Sequence, residues 1–228
     1  MAVTEGRIDF PGFIASITHD MKNSLGMLIN TLDEVLGDCI TENCTSYPLL
    51  SQVQYEAKRV NNNLIQLLTL YKMDTAQFML NISQHSVAEI IDETVLQNKP
   101  LLDFKGIEIS TECSEDLFWF FDSDLISGVI NNILNNSFRY TKDKIKIAAH
   151  EEREALVIRL EDNGKGYPAE MLEAQTSSRV SFKTGSTGLG LYFASIVASM
   201  HKNKGKEGFI ALRNGGEFGG GCFNIILP

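Results

Sequence analysis

The stretch Ala155-Leu-Val-Ile-Arg-Leu-Glu-Asp-Asn-Gly-Lys-Gly166 turns from an apolar run into a glycine-rich loop. Residues 155–160 read as a strand, and residues 145–149 read as its neighbour across a polar turn. Asp162 stands at the strand end, where a carboxylate can accept a hydrogen bond from an exocyclic amine such as adenine N6. Gly164 and Gly166 would let the backbone pass close to a flat ligand. An isolated Asp-Asn-Gly is more often a plain turn, so the segments around it decide the reading.

Downstream, Gly185-Ser-Thr187-Gly188-Leu189-Gly190-Leu191 opens a helix expected to reach about His201. Backbone N–H groups at a helix N-terminus bind phosphate, and glycines permit close approach. This is not a P-loop, because the Gly-Lys-Ser/Thr ending is absent. The polar stretch 167–186 suits a mobile lid over a nucleotide. Ten of the 18 glycines fall from Gly185 onward, so tight turns are expected around the closing strands at 209–213 and 222–227. Upstream, a predicted helix over 125–138 carries Asn132 and Asn136 one turn apart, with Arg139 three residues on. Neutral oxygen ligands suit Mg²⁺, which takes its charge balance from substrate phosphates, and an arginine can hold phosphate oxygens. Residues 78–82 read as strand, 87–102 as helix and 107–113 as strand. Residues 78–228 thus form one α/β sandwich domain.

Residues 1–77 follow a different period. Phe10, Ile14, Ile17, Met21, Leu25, Leu28, Leu32 and Val35 recur at three- and four-residue intervals, and so do Leu50, Val53, Ala57, Val60, Leu64, Leu67 and Tyr71. A turn is expected over 37–48, with Pro48 suited to a helix start. Two long amphipathic helices bury their apolar faces best by pairing with a second copy, which predicts a dimeric four-helix bundle. His19 falls on the solvent side of the first helix, with Asp20 beside it and Asn23 one turn away on the same face. A carboxylate can hold the imidazole Nδ1 proton and leave Nε2 nucleophilic, which makes His19 a candidate phosphoacceptor.

Charge and composition exclude other classes. The 228 residues carry a net charge of −9, with −4 before residue 78 and −5 after it, so neither part offers the clustered cations that nucleic acid requires. No apolar run approaches the ~20 residues that span a bilayer, and no signal peptide is visible. Four cysteines (Cys39, Cys44, Cys113 and Cys222) make neither a disulfide framework nor a zinc site. A cytoplasmic location is expected.

Taken in order, these motifs resemble the bacterial two-component sensor histidine kinases. His19-Asp-Met-Lys-Asn23 is similar to their H box, Asn132 to Thr141 to the N box, Asp162 to Gly166 to the G1 box and Gly185 to Leu191 to the G2 box. The resemblance implies a dimerisation and histidine-phosphotransfer hairpin over 1–77 and a Bergerat-type ATP-binding domain over 78–228. It implies His19 as phosphoacceptor, Asp20 as base and Asn23 as the residue that orients water in a phosphatase reaction. It also implies Mg²⁺ on Asn132 and Asn136. ATP would be bound by those two with Arg139, Tyr140, Asp162, Gly164, Gly166, Thr187, Gly188, Leu189 and Gly190. The implied partners are a second copy of the chain and a response regulator receiver domain, which takes the phosphoryl group on an aspartate.

Three departures stand out. Ser24 occupies the place of the usual H-box proline, so any bend of the first helix should be mild. The Phe-containing motif between G1 and G2 is missing, and no role is assigned to Arg179, Phe182 or Lys183 in the short lid. Nothing before the hairpin could sense a signal, so either the chain is a piece of a longer kinase or a separate protein supplies the input. A phosphotransfer or docking module with a vestigial ATP domain is the alternative. An anti-sigma serine kinase shares the ATP domain but needs neither the hairpin nor His19.

Overall fold

A computed structural model of the chain describes residues 10–41, 45–74, 79–174 and 188–228. The chain divides into two compact units, 1–78 and 79–228. The first is a helical hairpin of α1 (Phe10–Thr41) and α2 (Tyr47–Asp74). Helix α1 runs unbroken through Ser24, whose Oγ donates to the Asp20 carbonyl at 3.0 Å. That carbonyl is the one a proline at position 24 would leave without its helical N–H partner.

The apolar positions of α1 split into two stripes. Ile29, Leu36 and Cys39 are buried and Leu25 and Leu32 half-covered, whereas Ile17, Met21, Leu28 and Val35 stay exposed. On α2, Tyr55 and Ala57 are buried, but Val53, Val60 and Leu67, seven residues apart, are exposed. The single seam expected on each helix is therefore two: one is covered within the hairpin and one is left open. A polar clamp joins the helices, with Gln54 Nε2 donating to Asp33 Oδ1 and Lys58 Nζ 3.6 Å from the same oxygen. Among the described residues no helix is long and apolar enough to cross a membrane.

The second unit is a two-layer α/β sandwich. Its sheet contains β2 (Glu108–Cys113), β4 (Lys144–Glu152), β5 (Ala155–Asp162), β8 (Phe209–Asn214) and β9 (Gly221–Leu227), in the order β2-β4-β5-β9-β8. Only β2–β4 is parallel. Strand alternation separates the faces. Ile145, Ile147, Leu156, Ile158, Leu160, Phe223, Ile225 and Leu227 are buried beneath α3 (Val87–Lys105), α4 (Ser123–Tyr140) and α6 (Gly188–Met200). The other face is polar, with Lys146 bridging Glu112 at 2.8 Å and Glu217 at 2.6 Å.

Local chemistry sets the helix ends. Ser86 caps α3 by accepting from the Glu89 N–H, and Gly106 ends that helix in the left-handed region at φ 64°. Asp122 caps α4 through the Leu125 N–H. It also accepts from the Asn81 N–H at 2.9 Å, which holds residues 79–82 out of strand. The strand expected at 78–82 is displaced to β1 (Ser83–Ser86), paired antiparallel with β3 (Phe118–Phe121); Phe78 lies outside the described residues. Two short pieces complete the unit, the β6–β7 ribbon (Lys202–Asn203 and Lys206–Glu207) and α5 (Ala169–Ala174).

Candidate functional site

A cleft of about 320 Å³ opens beside the end of β5. Ile133, Asn136, Ser137 and Tyr140 of α4 form one side, and Gly166, Tyr167, Pro168 and Met171 the other. Asp162 and Gly221 lie between them, with Leu191 of α6 and Lys165 completing the lining. The walls are mostly apolar and the ends polar, as suits a flat heteroaromatic group.

Asp162 is the polar centre of the cleft. Its Oδ1 accepts from the Gly164 N–H at 2.7 Å and the Gly221 N–H at 3.3 Å. Its Oδ2 has no donor among the described residues, so one carboxylate oxygen remains available to a ligand amine. Tyr167 stands close by. Burial first, and then the Asp162 charge, push its phenol well above the ordinary tyrosine value, so it stays a neutral hydroxyl.

The motif glycines also sit in close contact with the protein itself. A Cβ on Gly164 would lie 2.2 Å from the Tyr140 carbonyl oxygen. One on Gly166 (φ +76°) would lie 2.6 Å from Asn214 Oδ1, and one on Gly190 2.4 Å from the Asn132 amide. The missing side chains of Gly164 and Gly166 let the loop, α4 and β8 meet, and Gly166 also lines the cleft.

The two N-box amides part company. Asn136 lines the cleft. Asn132 is only 8% exposed, packed against Gly190, and its Nδ2 has no hydrogen-bond partner among the described residues. An unsatisfied amide beside the first turn of α6 is a costly feature in a finished core. It suits a site that gains a partner when a polar ligand arrives. Arg139 lies over the ring of Tyr140 at 5.8 Å but is not itself part of the cleft lining. Gly188 and Leu189 begin α6, whereas Thr187, Arg179, Phe182 and Lys183 lie outside the described residues. No cluster of three or more His, Cys, Asp or Glu side chains able to hold a metal occurs among the described residues. Any cation here would rest on neutral amide oxygen and on the ligand's own phosphates, and Asn136 fits that donor set.

In the hairpin, His19 is 65% exposed. The Asn23 Nδ2 lies 3.3 Å from His19 Nδ1, and Asp20 Oδ1 lies 3.9 Å from the same nitrogen. Both neighbours address Nδ1 and leave Nε2 to solvent.

Sequence reading missed several participants. Asn163 Oδ1 gathers the Thr141 hydroxyl (2.9 Å) and the N–H groups of Lys142, Asp143 and Lys144 (3.1–3.2 Å), tying the end of α4 to the loop after β5. Tyr167 and Met171 fall in the polar stretch expected as a mobile lid, although Pro168 followed by Ala169-Glu-Met-Leu-Glu-Ala174 carries a helix-start signal. Gly220 packs on the Asp162 backbone, where a Cβ would lie 2.3 Å from the carbonyl oxygen.

Residues 121–227 match the family model described as histidine kinase-, DNA gyrase B- and HSP90-like ATPase. Sensor protein SrrB of Staphylococcus aureus (strain N315) is 25% identical over 198 residues, covering 83% of this chain and 34% of SrrB. The chain thus spans about a third of the length of the curated relatives it matches. The fold is shared with Acinetobacter baumannii histidine kinase AdeS (TM-score 0.61, 19% identity, 87% of this chain and 95% of that one). Full-length ShkA in complex with AMPPNP also shares it (TM-score 0.64, 18% identity, 96% and 46%).

Proposed function

We propose that this chain, whose residues 121–227 match the ATPase family of histidine kinases, DNA gyrase B and HSP90, acts as a two-component histidine kinase. In this reading the cleft holds ATP and His19 receives its γ-phosphoryl group. The phosphoryl group then passes to an aspartate of a response regulator. The observation that carries the reading is the Asp162 carboxylate, with one oxygen that lacks a donor among the described residues, inside a slot of mostly apolar side chains.

Adenine enters edge-on toward Asp162, its N6 amine donating to Oδ2, between Ile133 and Leu191 on one side and Met171 on the other. Asn136 is the amide placed to hold Mg²⁺, which supplies charge neutralisation on the phosphates when bound. Asn132 is assigned instead to the start of α6, where Gly188, Leu189 and Gly190 turn backbone N–H groups toward phosphate. With the proton on Nδ1 facing the Asp20 carboxylate, Nε2 attacks the γ-phosphorus as the bond to the bridging oxygen breaks and ADP leaves. Charge on the new phosphoimidazole is offset by Asp20. Asn23 orients water when the regulator is dephosphorylated. The exposed stripes through Met21, Leu28, Val60 and Leu67 pair with those of a second copy.

Calorimetric titration of ADP into the full chain and its Asp162→Ala variant tests the site. Loss of a charge-assisted bond worth about 1.5–3 kcal/mol predicts roughly tenfold or more weaker binding. Equal affinity in the two proteins would place the nucleotide elsewhere.

A further inference from the structure

The adenine slot has one wall made by a loop, Gly166 to Pro168, leading into the six-residue helix α5. A loop wall needs something to fix its distance from the sheet. That fixture comes from Asn214, the last residue of β8, which does not line the cleft. Its Oδ1 accepts from the Tyr167 N–H at 2.7 Å, and its Nδ2 donates to the Tyr167 carbonyl at 2.8 Å. One side-chain amide therefore satisfies both backbone groups of the residue whose ring borders Asp162. Gly166 presses on the same amide from below, since a Cβ there would lie 2.6–3.0 Å from its three terminal atoms. Pro168 then receives its place from Tyr167, and its carbonyl accepts from the Met171 and Leu172 N–H groups to start α5. Tyr167, Pro168 and Met171 are thus set in turn by a single contact.

We propose that Asn214 is a positioning residue for nucleotide binding: its paired hydrogen bonds to the Tyr167 backbone set the width of the adenine slot. The inference rests on the adenine reading of the cleft and adds a determinant outside it. Asn214 reaches the site through the Tyr167 backbone and lines no part of the cleft. Its loss therefore acts on capture of the base and leaves the transfer step alone. Loss of the two hydrogen bonds predicts a change of about five- to 150-fold.

The experiment uses the full chain, ADP titration and ATP-dependent labelling of His19 in the parent, Asn214→Ala and Asn214→Asp. Asn214→Ala is expected to raise the ADP dissociation constant and the KM for ATP by that factor, with the labelling rate at saturating ATP within about twofold of the parent. Asn214→Asp keeps the acceptor for the Tyr167 N–H but opposes the Tyr167 carbonyl with a second oxygen, so it should also bind ADP more weakly. It decides the matter should the alanine variant not fold. Parent-like affinity in both variants overturns the proposal. So does a rate at saturating ATP that falls as far as the affinity, which would mark a merely structural residue. A parent that binds no ADP would instead remove the nucleotide reading itself.

Discussion

In the proposed function, three side chains within one turn of α1 divide the chemistry at His19. Asp20 bears a carboxylate 3.9 Å from Nδ1, while Asn23 lies 3.3 Å from the same atom with a neutral amide that cannot act as a base. Asp20→Ala should slow His19 phosphorylation by the ~10²–10⁴-fold typical of a lost general base. Asn23→Ala should leave that step nearly intact and prolong the lifetime of a phosphorylated regulator. Regulator decay measured with ADP present checks this, and equal decay with parent and variant would remove Asn23 from the reaction. A second histidine is purely structural. His201 is buried, its Nδ1 2.8 Å from the Val197 carbonyl and its Nε2 accepting from the Asp122 N–H at 3.1 Å. Burial holds its pKa below the ordinary 6.5, against the opposing pulls of Val197 and Asp122. The unfolded chain therefore binds the proton first as pH falls. The stability this histidine contributes is full above about pH 6.5 and declines below it, down to the lowered folded value. Thermal melting at pH 7.5 and 5.5 should show a larger loss for the parent than for His201→Gln; equal losses would show that His201 is not the group being titrated.

At the scale of elements, the hairpin leaves Val60 and Leu67 exposed on α2, and Ile17, Met21, Leu28 and Val35 on α1. Charge on such a stripe costs nothing in a lone hairpin but is buried unpaired in a bundle. Val60→Glu with Leu67→Glu should run as a monomer in sedimentation where the parent is a dimer. A folded, fully dimeric variant would show that another surface holds the subunits. The same elements show how far sequence reaches. The long period-3.6 and period-2 segments were legible because burial of one face imposes the pattern, as in β5 and α6. Strand β1 was not, since Ser83-Gln-His-Ser86 pairs through its backbone and carries no apolar alternation of its own. Nor could spacing separate the two stripes of α1, which lie side by side on one helix. At the site, Asp162 and Asn136 could be read from their motifs. Asn214 and Asn163 could not, because their roles depend on β8 and on the α4–β4 connection arriving at the same loop.

Across the whole molecule, the proposed function assigns one reaction to an exposed histidine on one unit and a cleft on the other. The measurement that bears on it most directly is incubation of the full chain with γ-labelled ATP and Mg²⁺, followed by acid and alkali treatment of the labelled protein. A phosphoramidate on His19 predicts label that is lost in acid, survives alkali, and is absent from His19→Ala although that variant still binds ADP. Label that survives acid, or comparable labelling of His19→Ala, would contradict the assignment.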